Sequence, residues 1–82
     1  MIDYIPTDLT KKQTRLIIKL SERFGVGSTI HCARADKAGI RITNADVLAL
    51  AKIGYTEVFN DGWSACAFHL TDKAQRVIDA NN

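Results

Sequence analysis

A tight-turn signal in the second half of the chain constrains its fold more than any other sequence feature. Asn60-Asp61-Gly62 separates two short runs rich in aromatic and other apolar residues. Asn, Asp and Gly tolerate the positive φ angles that tight hairpin turns need. Such a run between apolar segments is therefore typical of a β-hairpin. The sequence therefore predicts an antiparallel hairpin that joins Tyr55–Phe59 to Trp63–Leu70.

Helix-start signals flank the hairpin on both sides. Thr10 and Gln13 have the spacing of a capping box, in which each side chain bonds the other residue's backbone N–H. Thr43 is a second N-cap with Asp46 in the favourable first turn, and Thr71 is a third. A glycine follows each of the first two segments and ends it. The predicted helices lie near 10–24, 44–53 and 72–80, and the last two residues are expected to fray.

The segment between the first two predicted helices is compatible with two structures. Ser28 could cap a helix over an alanine-containing stretch, with Gly39 as the turn of a helix-turn-helix. Alternatively, Thr29–Arg34 could pair as a strand with Ile40–Thr43, where apolar and polar residues alternate. The sequence leaves both interpretations of residues 28–42 open.

Length and hydropathy bound the class of protein. Eighty-two residues make a single small domain over 1–82, and a small core would benefit from a homodimer. No apolar run has the length of a membrane span and the N-terminus lacks signal-peptide features, so we predict a cytoplasmic protein with reduced thiols at Cys32 and Cys66. Helical and strand spacing, together with the largely apolar helix at 44–53, predicts a core of Leu16, Leu20, Phe24, Leu48, Val58, Phe68, Leu70 and Val77.

The basic residues are concentrated in one part of the chain. Residues 11–41 contain eight Lys or Arg and two acids, which gives this part a net charge of +6, although the whole chain has only +2. Four of these cations recur every four residues on the first helix and form a stripe. A positively charged half predicts an anionic partner, and the alternative is an ordinary solvated helix face. The candidate nucleic-acid-binding residues are Lys11, Lys12, Arg15, Lys19, Arg23, Arg34, Lys37 and Arg41.

The order of the parts after residue 45 carries a resemblance to a known family. A helix ends in Leu50-Ala51-Lys52-Ile53-Gly54-Tyr55, a hairpin follows, and Leu70-Thr71-Asp72-Lys73-Ala74-Gln75 opens a last helix. This arrangement resembles winged-helix regulators of the multiple-antibiotic-resistance type and small phage-encoded winged-helix proteins, over a little under half the chain. The resemblance implies a small α+β winged-helix-like domain: helix, short strand or helix segment, helix, β-hairpin wing and C-terminal helix.

The same resemblance implies a function in DNA binding and transcription regulation, as a small phage or bacterial regulator of double-stranded DNA. Two departures from the family pattern support an alternative, a protein–protein interaction module such as a phage-encoded inhibitor of a host protein. The helix in the recognition position has few side chains that could read bases, and the wing tip carries the acid Asp61. In that alternative the docking residues are Tyr55, Phe59 and Trp63, because large aromatic side chains concentrate in interfaces.

Residues that could carry chemistry are few. The pairs His31-Cys32 and Cys66/His69 together supply the ligand types of a zinc site. Cys66 and His69 are an odd number of residues apart on a predicted strand, so they are expected on opposite faces. No nucleophile with a base and an orienting group is recognisable. We therefore predict no metal, no cofactor and no enzymatic activity.

Overall fold

The computed structural model describes residues 4–59 and 67–81, which form a small α+β fold with a three-stranded antiparallel sheet. The predicted helices near 10–24, 44–53 and 72–80 are confirmed, and a short strand and a short helix lie between the first two. In chain order the described elements are α1 (Lys11–Phe24), β1 (Ile30–His31), α2 (Cys32–Lys37), α3 (Asn44–Lys52), β2 (Thr56–Phe59), β3 (Ala67–Leu70) and α4 (Asp72–Ala80).

Local side-chain bonds determine where α1 and α3 begin. The backbone N–H of Gln13 donates to the Thr10 hydroxyl (3.1 Å), and the Gln13 side chain accepts from the Thr10 backbone N–H (2.9 Å). Thr43 and Asp46 form the same reciprocal pair, at 3.2 and 3.1 Å. Each box satisfies two backbone donors that the helix leaves without a partner. The predicted box at Thr10 and the predicted cap at Thr43 are therefore confirmed.

The polar side chains at the two ends of α4 form hydrogen bonds with distant parts of the chain. Thr71 is the N-cap residue of α4, but its hydroxyl donates to the Gly54 carbonyl and makes no bond to the helix. Asn81, which we expected to fray, exchanges hydrogen bonds with the backbone of Tyr4, at 2.8 and 2.9 Å. Both corrections have one cause: these polar groups find partners far away in sequence, which local patterns do not show.

The sheet has the order β1-β3-β2, and both pairings are antiparallel. Thr56 pairs with Leu70 and Phe59 with Ala67, which confirms the hairpin partners within the described residues. The turn at 60–62 and Trp63 lie outside them. Neither interpretation of residues 28–42 holds as a whole: the strand Ile30–His31 pairs with β3 and not with Ile40–Thr43, and the six-residue helix after it has His31, not Ser28, as its N-cap.

The core lies between the sheet and the inner faces of the helices. Four of the eight predicted core residues, Leu20, Phe68, Leu70 and Val77, are buried as predicted, and three are half-buried. Leu48 is a correction, because 48% of it is exposed. On α3 the buried side chains are instead those of Val47 and Leu50. The half-buried members of the predicted core are Leu16, Phe24 and Val58.

Cys32 is bonded in a disulfide, so our prediction of a reduced thiol is wrong at this position. The residue directly follows His31, which pairs with Ala67 on β3. The other cysteine of the chain, Cys66, precedes Ala67 in sequence and lies outside the described residues. The prediction of reduced thiols was based on the lack of signal-peptide features in the sequence, which does not determine whether a particular cysteine is bonded.

Candidate functional site

All eight predicted nucleic-acid-binding side chains are exposed. They lie on α1, on α2 and on the loop before α3, and the structure divides them into two sets. One set surrounds a groove beside α1 and consists of Lys12, Arg15, Lys19 and Arg41. The other set does not line the groove and consists of Lys11, Arg23, Arg34 and Lys37.

The groove has a volume of about 580 Å³ and lies between α1 and the chain that leads into α3. We call it the basic groove. Its cations alternate with aliphatic side chains that belong to the core or pack against it, so cations and apolar surface meet in one concave site. Besides the four cations, it is lined by Gln13, Leu16, Gly39, Ile40, Thr43, Asp46 and Leu50.

Helical spacing and one turn bring the two walls of the groove together. Lys12, Arg15 and Lys19 follow one another at intervals of three and four residues, so they share one side of α1. The opposite wall begins at Gly39, whose φ of 83° favours glycine. Ile40 then donates its backbone N–H to the Ala35 carbonyl (2.8 Å), which returns the chain past the end of α2. This turn leaves Ile40 buried and Arg41 exposed.

The basic groove has a strongly positive field for its size. Four cations and one acid, Asp46, give it a net charge of +3. The Asp46 carboxylate already accepts a bond from the backbone of Thr43 and sits at the positive end of α3. Among the described residues no acid forms an ion pair with any of the four cations. The cations are therefore available to an anion from outside.

The alternative docking residues separate in the structure. Tyr55 is only 2% exposed, so our interpretation of it as a surface anchor is corrected. Phe59 is 37% exposed, and its ring lies 4.8 Å from that of His69. Trp63 lies outside the described residues. Among the exposed large apolar side chains that the sequence did not indicate are Leu48 on α3 and Ile5 in the N-terminal segment.

Tyr55 instead belongs to a polar cluster that the sequence did not indicate. Its hydroxyl donates to one oxygen of Asp8 (2.7 Å), and the Lys73 ammonium donates to the other (2.9 Å). These two bonds, with that of Tyr55 the stronger influence, hold the pKa of Asp8 below its usual 3.8. Burial and then the bond to Asp8 raise the pKa of Tyr55 to about 12. These hydrogen bonds connect the segment before α1 with the start of β2 and with α4.

The predicted absence of a metal site stays a prediction. No three His, Cys, Asp or Glu side chains within residues 4–59 and 67–81 are grouped to hold an ion. His31 is exposed on β1, and His69 lies on β3 with its Nε2 3.4 Å from Glu57. Cys66, the remaining member of the zinc inventory, lies outside the described residues.

Comparisons with known proteins do not assign the chain to a family. Neither models of protein families nor curated proteins nor solved structures gave a match. In the part of the chain that the structure describes, no helix combines the length and apolarity required to cross a bilayer.

Proposed function

We propose that the chain is a winged-helix-like, non-enzymatic DNA-binding module that acts as a small phage or bacterial regulator. The order of elements supports this proposal: α1, β1, α2 and α3 precede a hairpin, and β1 joins its second strand. The observation that carries the proposal is electrostatic. Eight exposed cations lie within residues 11–41, and four of them surround a groove at the N-terminal end of α3.

In this proposal the cations bind the phosphate backbone of double-stranded DNA. Lys and Arg on α1 each neutralise one phosphate, and the counterions that they release drive binding. The exposed side chains of α3 are Asn44, Ala45, Leu48, Ala49 and Lys52, and only Asn44 and Lys52 could hydrogen-bond to base edges. We therefore expect tight binding at low salt with weak discrimination among sequences.

A salt titration with random duplex DNA tests the proposal. The logarithm of the binding constant should fall linearly with the logarithm of salt concentration. Replacing Arg15 and Lys19 with Gln should weaken binding to all sequences alike and flatten the slope by about one unit per lost phosphate contact. The matched control is Arg76→Gln on α4, another exposed cation outside the basic half, which should leave the slope unchanged. If the chain does not bind duplex DNA at low salt, the proposal is wrong.

The exposure of Leu48 favours a second function, a protein–protein interaction module. Leu48 is 48% exposed on a helix that also presents two exposed alanines, so α3 offers solvent an apolar face. Such faces are often covered by a second copy or by another protein. Leu48→Asp should then abolish capture of a host protein, or self-association, while the melting temperature stays within a few degrees because the site is on the surface. Unchanged capture and unchanged oligomeric state would exclude this face.

A further inference from the structure

The shape of the basic groove indicates more than phosphate binding. The floor of the groove contains half-buried Leu16 and two core side chains, Ile40 and Leu50, which are 7% and 0% exposed, so Leu16 offers a ligand more apolar surface than either core residue. Its volume of about 580 Å³ is within the range of sites that enclose a ligand. Phosphates of a duplex need exposed cations, but they do not need an apolar floor. The floor provides a surface that the proposed DNA contacts leave unused.

We propose that the basic groove binds an acidic amphipathic segment of a partner protein. Apolar side chains of that segment would contact Leu16 and Ile40 on the floor, and its carboxylates would pair with the cations of the rim. This inference goes beyond the proposed function, because it concerns a second class of partner and holds whether or not the chain binds DNA.

The positive charge and the hydrogen-bond donors on the rim of the groove favour a partner with carboxylates. The rim has two guanidinium groups, Arg15 and Arg41, and each can hold a carboxylate through two parallel hydrogen bonds. Lys12 and Lys19 add two mobile ammonium groups. With a net charge of +3 over an apolar floor, the groove matches a helix that has acidic residues beside a row of apolar anchors.

Two synthetic peptides provide the direct test. The first has leucines at helical positions i, i+3 and i+7 with glutamates between them, and the second has serine in place of each leucine. Because only the first can cover the apolar floor, we expect it to bind the full chain at least about tenfold more tightly in fluorescence anisotropy. Equal affinity for the two peptides would show that the floor does not participate, and the inference would be wrong.

Charge reversals locate the site. Arg41→Glu, in the groove, should weaken binding of the leucine peptide by about tenfold or more, and Arg76→Glu, on α4 and outside the groove, should have less than a twofold effect. Both positions are exposed, so circular dichroism should show an intact fold for both variants. Equal weakening by the two reversals, or self-association that requires Arg41, would overturn the assignment to an acidic peptide.

A binding experiment with duplex DNA distinguishes failure of this inference from failure of the proposed function. If the chain binds DNA and also binds the leucine peptide at the groove, the two ligands should compete. Failure to bind DNA with retained, groove-dependent peptide binding would refute only the proposed function. Binding of DNA with no preference for the leucine peptide would refute only this inference.

Discussion

At the scale of single residues, the cluster of Asp8, Tyr55 and Lys73 connects three parts of the chain. Asp8 belongs to the segment before α1, Tyr55 precedes β2, and Lys73 lies in the first turn of α4. The Lys73 ammonium also donates to the Ile53 carbonyl (2.6 Å) and lies 4.5 Å from the centre of the Tyr55 ring. A single lysine thus connects the end of α3 with both the N-terminal segment and α4.

This cluster predicts a loss of stability in acid. Because the pKa of Asp8 in the folded protein is below its usual 3.8, the ionised carboxylate stabilises the fold at any pH above that value. The contribution decreases as the pH falls through the lowered pKa and Asp8 becomes protonated. We expect Asp8→Asn to be less stable than the parent chain near neutral pH and to lose less stability on acidification. Urea denaturation at a series of pH values measures both effects.

Asp36→Asn is the matched control for the acid effect. Asp36 is an exposed carboxylate on α2, and no hydrogen bond or ion pair of its side chain occurs among the described residues. This variant should follow the parent chain across the pH series. If Asp8→Asn and Asp36→Asn behave alike, the bonds from Tyr55 and Lys73 do not contribute to folding.

At the scale of elements, α3 shows how packing decides what composition leaves open. Apolar residues lie all round this helix, so its sequence does not tell which side faces the core. The sheet decides: the Thr56 hydroxyl at the start of β2 donates to the Val47 carbonyl (3.0 Å). Val47 and Leu50 are consequently buried, and Leu48 is turned outward.

A pair of leucine truncations tests this arrangement. Leu20 on α1 is fully buried, so Leu20→Ala should lower the free energy of unfolding by about 2–5 kcal/mol. Leu48→Ala removes the same atoms from a half-exposed site on α3 and should cost only about 0.5 kcal/mol. Thermal or urea denaturation of the two variants gives the comparison. Similar losses for both would mean that Leu48 packs in the core after all.

Local capping signals made α1 and α3 predictable from the sequence, whereas α4 was predictable from the helical spacing of its buried residues and not from a cap at Thr71. The box at Thr10 lies within four consecutive residues, and the pairing that caps α3 at Thr43 is equally local, so neither depends on tertiary contacts. The segment 28–42 was ambiguous because β1 has only two residues and exists through its pairing with β3, at Ile30 and Phe68. Such a strand has no periodicity of its own to detect.

The candidate site was predictable in part for the same reason. Helical spacing predicts a row of cations on α1 formed by Lys11, Arg15, Lys19 and Arg23, of which only Arg15 and Lys19 line the groove. The fourth cation of the groove, Arg41, reaches the site through the turn at Gly39, and the apolar floor combines side chains from α1, from α3 and from the segment between α2 and α3. Neither contact is encoded in a local pattern, so the sequence indicated a basic surface but not a groove.

At the scale of the whole molecule, charge separation carries an energetic cost. Residues 11–41 hold a net charge of +6 and the rest of the chain holds −4. On α1, Lys11, Arg15, Lys19 and Arg23 form successive like-charge pairs four residues apart, and each such pair destabilises a helix by about 0.2–0.5 kcal/mol. If this face of α1 only contacted water, alternating acidic and basic residues would make the helix more stable. Binding of a polyanion would explain why the face is uniformly basic despite this loss of stability.

The last prediction follows from that cost. Replacing Arg15 and Lys19 with Gln, a comparable helix former, removes every like-charge pair of the stripe. At low salt the free energy of unfolding should increase by roughly 1 kcal/mol, and the difference should decrease in high salt because surface charges are screened. The control Arg76→Gln should shift stability in the opposite direction, since Arg76 lies one helical turn from both Asp72 and Asp79 on α4.

Added duplex DNA should reverse the order of stability. A ligand that binds only the folded state stabilises it by mass action, so DNA at low salt should raise the melting temperature of the parent chain. The double variant, with fewer phosphate contacts, should gain less and fall below the parent at sufficient DNA concentration. Such a crossover would show that the stripe is maintained for binding at the expense of folding. If DNA shifts both proteins equally, or neither, the stripe is a solvated helix face and the groove must be explained without a nucleic acid.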